Sequence, residues 1–206
     1  MTLEPFSERW LEPFRASPFS LRFQLGGETF GTHVPVPRFT QAFGRARRIA
    51  DEIFAASKQL SGVVAALPDS AADSFAPARD GFEAVAAAGF TQQPLNEWKA
   101  PIWPDQPEEE DQVPAHWRAY DLTGDAVQRD VLLWCAVSYE MAIAPKAPVL
   151  SFLADLDRNI VLHVYDDRGM DVTALDRETL LPLYRDRGEW LLDHDRKRMR
   201  EAFGDA

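Results

Sequence analysis

Between Ser20 and Leu25 the chain alternates, with Leu21, Phe23 and Leu25 apolar against Ser20, Arg22 and Gln24. A period of two sends successive side chains to opposite faces of an extended backbone, so this stretch predicts a half-buried strand, closed by Gly26-Gly27. The next segment changes period. From Arg38 to Ala56, Phe39, Ala42, Phe43, Ala46, Ile49, Ala50, Ile53 and Phe54 share one stripe at helical spacing. That stripe predicts an amphipathic helix, and Pro35 and Pro37 argue against an earlier start. "LSGVVAAL", residues 60–67, is a continuous apolar run bounded by Pro68, the pattern of a strand covered on both faces. Strand, helix, strand in that order predicts a parallel pair joined by a right-handed crossover.

The same reading extends to the rest of the chain. Phe6, Trp10, Leu11 and Phe14 are spaced for a short amphipathic helix interrupted by Pro13, and "DGFEAVAAAGF" for another that ends near Gly89. Residues 68–80, a mixture of Asp, Ser and Ala, read as a loop. "PIWPDQPEEEDQVP", residues 101–114, carries four prolines and five acids and predicts a long exposed connection. Beyond it come a strand in "HWRAYDL", a helix from Asp125 as N-cap through "VLLWCAVSYEMA", strands in "VLSFLADL" and "NIVLHVYDD" joined by a hairpin turn, and two C-terminal helical segments. Ile160, Leu162 and Val164 alternate with Val161, His163 and Tyr165, so that strand is apolar on both faces and belongs in the middle of a sheet. The expected fold is a single α+β domain over residues 1–206, a mixed sheet packed by several helices.

Composition narrows the function more than the fold. Of 206 residues, 33 are Asp or Glu and 22 are Lys or Arg, a net charge of −11. Such a field repels polyanions, which disfavours nucleic acid as a partner. It suits a basic protein partner instead. No run approaches the length of a membrane span, the first twenty residues do not read as a secretory signal, and the cytoplasm is the expected compartment. The one cysteine, Cys135, lies among Leu, Trp, Ala and Val and reads as buried and inert. His33, His116, His163 and His194 have no metal-binding spacing, and the common hydrolase and nucleotide motifs are missing. No cofactor is expected.

The densest charge chemistry is "HVYDDRGMDV", residues 163–172. Acids at the end of a buried strand can bind a hard cation or tune one another for acid/base work. They can equally build a turn, with Asp166 or Asp167 accepting backbone hydrogen bonds, Gly169 supplying a positive φ, and Arg168 pairing with Asp171 or Asp193 to dock the C-terminal helices. The candidate binding residues are Asp166, Asp167, Arg168 and Asp171, together with Arg22 on the first strand.

"LRFQLGG", "RFTQAFGRARRIADEIF", "YDDRGMDV" and "LLPLYRDRGEWLLDHDRKRMREAF" together resemble a family of small bacterial proteins classed only as a domain of unknown function. The resemblance runs from Leu21 to Phe203 apart from the acidic connection. It implies a domain and brings no activity with it. Two functional classes follow from the residues: a protein-binding or immunity-type module that neutralises a toxin, and a metal-assisted hydrolase or transferase built on Asp166, Asp167 and Asp171.

Overall fold

A computed structural model describes residues 10–66, 80–102 and 114–204. The expected loop at 68–80 and the acidic connection at 101–114 lie outside these residues except for their ends, as does the start of the N-terminal helix. The elements, in order, are α1 (Glu12–Arg15), β1 (Ser20–Gln24), α2 (Pro35–Ile53), β2 (Ser61–Ala66), α3 (Gly81–Ala87), β3 (Asn96–Pro101) and β4 (Pro114–Asp121). There follow α4 (Ala126–Ser138), β5 (Val149–Asp155), β6 (Ile160–Val164), β7 (Gly169–Ala174), α5 (Arg177–Asp186) and α6 (Arg196–Phe203).

Local chemistry accounts for most of the boundaries. Asp80, Asp125 and Asp176 cap α3, α4 and α5, accepting from the backbone N–H of Phe82, Gln128 and Thr179. Gly89, with φ of 103°, follows the end of α3, where a left-handed residue lets the chain turn away. The long helix begins at Pro35, earlier than its prolines suggest. Proline is tolerated in a first turn because its missing N–H has no helical acceptor there.

Among the described residues seven strands form one sheet in the order β1-β7-β6-β5-β2-β4-β3, with every neighbouring pair antiparallel. The parallel β1–β2 pair expected from the strand-helix-strand order is therefore absent. Alternating directions do make β1 and β2 run the same way, but the β5-β6-β7 meander fills the space between them. The β5–β6 hairpin and the central place of β6 are as the sequence predicts.

Two layers cover the sheet. On one face, Leu21, Phe23, Val64, Leu153, Ile160, Leu162, Met170 and Val172 pack into one core with the stripe of α2 and with α4, α5 and α6. Gly62 belongs to this layer, where a Cβ would stand 2.6 Å from Leu122 and 2.9 Å from Leu132. A side chain at that position would have to displace the tips of Leu122 and Leu132, which fill the space over it. On the other face, Val63, Ala65, Trp117, Ala119, Phe152 and Val161 are covered by Trp10, Leu11 and Phe14 from the N-terminal segment. Aromatic rings run across this face: Trp98, Trp117, Phe152 and His163 stack with successive centroid spacings of 5.9, 5.9 and 4.2 Å. The outer edge of β1 is closed by Leu192, whose N–H donates to the Arg22 carbonyl at 2.9 Å.

Candidate functional site

Sheet register builds the site. Arg22 lies opposite Asp171, Asp171 opposite His163, and His163 opposite Phe152, so four strands contribute one row on the second face. The next row is Ser20, Thr173 and Val161. These two rows floor a pocket of about 700 Å³. Leu11, Phe14 and Arg15 of the N-terminal segment form one wall, and Arg198, Glu201 and Ala202 of α6 form another.

The polar groups of the floor are held in place. Arg22 donates to both Asp171 oxygens, from Nε at 2.8 Å and Nη2 at 3.0 Å, and from Nη1 to Asp195 at 2.9 Å. The hydrogen-bonded Asp171 carboxylate holds the Arg22 guanidinium above its ordinary pKa. Thr173 donates to the Ser20 hydroxyl at 2.9 Å, and the Ser17 hydroxyl to the Ala174 carbonyl at 2.6 Å. His163 is stacked on Phe152, and its Nδ1 lies 3.0 Å from the Ser151 carbonyl. A carbonyl can only accept, so Nδ1 carries the proton and Nε2 is left as an acceptor. Burial pushes the imidazole below its ordinary pKa and keeps it neutral. Burial also raises the neighbouring Tyr165 hydroxyl, with the Asp171 charge adding to the effect.

The turn that the sequence singles out has a different use. Asp166 accepts from the Arg168 N–H at 2.7 Å and from the Arg168 guanidinium, which also reaches Glu140 at 3.2 Å. Asp167 pairs with Arg38 of α2 in a contact where both side chains are only 8% exposed. Arg38 also donates to the Phe30 carbonyl at 3.1 Å. The charges of the turn are paired within the fold, and three details differ from the expected arrangement. Arg168 pairs within its own turn and with Glu140 rather than with Asp171 or Asp193. The task of docking the C-terminal segment falls to Arg22, through Asp195. Gly169 does not have a positive φ; it opens β7, and a Cβ there would lie 2.5 Å from the Tyr165 hydroxyl and 2.9 Å from its ring.

The five candidate residues thus divide. Arg22 and Asp171 reach the pocket, while Asp166, Asp167 and Arg168 rivet a turn beside it. Asp166, Asp167 and Asp171 are each held by a different arginine, and among the described residues no group of three or more His, Cys, Asp or Glu could hold a metal ion. Cys135 is buried, and burial pushes its thiol up to about 12, far from thiolate formation at neutral pH. Sequence reasoning missed His163, Ser20, Thr173 and the α6 residues as pocket groups. The available signal was β7 itself: Met170, Val172 and Ala174 alternate with Asp171 and Thr173.

Among the described residues no helix is long and apolar enough to cross a membrane. No curated protein and no solved structure matches this chain. A family model does match, over residues 2–195, and the chain belongs to that family, the domain of unknown function DUF3885.

Proposed function

We propose that this protein is a cytoplasmic protein-binding module of the immunity type, which holds a basic protein partner against the pocketed face of its sheet. The observation that carries this reading is a pocket of ligand size whose floor is already neutralised and hydrogen-bonded. Fixed groups of this kind give shape and polarity to a recognition surface. A catalytic floor would instead offer an activated nucleophile or a free carboxylate pair, and the Arg22–Asp171 pair is neither. The acidic balance of the chain, −11 overall, supports a basic partner by steering its approach. A lone buried cysteine fits a reducing compartment.

The test is calorimetric titration of the intact chain with the basic proteins encoded beside its own gene. A complex is expected that weakens with added salt and is lost in Ala202→Trp, which fills the pocket from α6. Failure of all of them to bind at micromolar concentration, or a complex indifferent to Ala202→Trp, overturns the reading.

A further inference from the structure

Arginine is concentrated at the pocket of an otherwise acidic protein. Arg15, Arg22 and Arg198 line it against Asp171 and Glu201, three positive charges to two negative, in a chain of net charge −11. The three arginines are not equivalent. Arg22 is saturated by Asp171 and Asp195, and Arg15 is engaged elsewhere as well as at the Ile102 carbonyl, 2.7 Å away. Arg198 is exposed and, among the described residues, forms no ion pair. It is carried on a helix anchored beside the floor, where Met199 is fully buried and accepts from the Arg22 N–H at 3.4 Å. An apolar side is formed by Leu11 and Phe14 of the N-terminal wall with Phe152 and Val161 of the floor.

Resting on the binding reading of this same pocket, we infer that it takes an organic monoanion with an apolar body, its carboxylate seated on Arg198. The one guanidinium of Arg198 suits a single negative head. Asp171 and Glu201 in the same walls oppose a dianion such as a phosphate monoester. The planar guanidinium can receive a carboxylate through two parallel hydrogen bonds, and the apolar wall covers the rest of the ligand. This chemistry has two sources, a free small acid or the C-terminal residue of a partner protein.

The experiment follows backbone NMR shifts of the intact chain on titration with five probes. These are 3-phenylpropionate, its amide, phenyl phosphate, a short peptide ending in a free phenylalanine carboxylate, and the same peptide amidated. The carboxylates should shift residues of β1, β7 and α6, and each amide should bind at least about tenfold more weakly, the discrimination expected when a charged hydrogen-bonding head is lost. Arg198→Glu should weaken the acids about tenfold or more, while Arg200→Glu, on the same helix but outside the pocket, should not. Tighter binding of the peptide identifies a partner's C-terminus as the source, and tighter binding of phenylpropionate a free acid; both orders uphold the carboxylate assignment. Equal binding of acids and amides, preference for phenyl phosphate, or indifference to Arg198→Glu overturns that assignment while leaving a binding pocket. If no probe binds at millimolar concentration, the carboxylate assignment falls, while the protein-binding reading stands or falls on its own titration.

Discussion

Asp167 and Asp171 come from one short stretch of chain, and each is gripped by an arginine more than a hundred residues away in sequence. Depth separates them. The Arg38–Asp167 side chains are 8% exposed on both partners, whereas Arg22 is 39% and Asp171 27% exposed. The buried pair fastens the first turn of α2 to the β6–β7 turn, and its integrity matters because either charge left alone would sit in a medium that cannot solvate it. The open pair is partly screened by water, so it adds little to stability. Its contribution is a rigid, polar patch of pocket floor. Identical chemistry is thus a rivet at one depth and a pocket floor at another.

That contrast can be broken most forcefully at the rivet. Asp167→Ala strands the Arg38 guanidinium and should cost about 3–5 kcal/mol in urea unfolding. Replacing both partners with leucine should recover much of this loss; a double variant as unstable as the single one would mean that the pair does more than neutralise itself. Arg168→Ala should come next, at about 1–3 kcal/mol, because it removes one of the groups satisfying the buried Asp166 carboxylate. Asp171→Asn should lower stability by about 1 kcal/mol or less, while altering ligand binding in the pocket more than the melting temperature suggests. A loss as large as that of Asp167→Ala would erase the proposed difference between the pairs.

The smallest effect is a pH dependence. Because burial lowers the His163 pKa in the folded state, the unfolded chain binds a proton more readily as pH falls below the ordinary histidine value of about 6.5. The contribution of His163 to stability is therefore fully present above that value and is lost as pH drops through the folded pKa. His163→Phe, which keeps a ring on Phe152, should flatten the stability profile between neutral pH and about pH 5; an unchanged slope would show that His163 does not titrate in this window.

How much of this was legible in the sequence depends on whether the signal is local. Period-two alternation located β1, the apolar run located β2, β5 and β6 were read as a pair of strands joined by a turn, and the stripe from Phe39 to Ile53 located the long helix. Asp125 was readable as a cap because its acceptor role reaches only three residues ahead. Strand β3 went unseen although Trp98, Ala100 and Ile102 alternate with Glu97 and Lys99, because it runs into the proline-rich acidic stretch that reads as a connection. Strand β7 was hidden by its charge, since Asp171 resembles a turn residue until β1 is placed beside it. Sheet order was misjudged for a related reason: chain order favoured neighbouring β1 and β2, and nothing local announces that a later meander will intervene. The pocket shares that property. Arg22, Asp171, His163 and Arg198 meet only through register and helix docking, so their residue types were visible while their convergence was not.

The pairing of β1 with β7 also sets a clock. Some 145 residues separate the two partners, so the first strand must wait through synthesis of nearly the whole domain before its hydrogen bonds can close, and its alternating surface stays open to wrong partners meanwhile. An occupant of the pocket would bridge β1, β7 and α6 after they have met. It would therefore act on the last step of assembly, slowing the loss of the finished structure rather than hastening its formation.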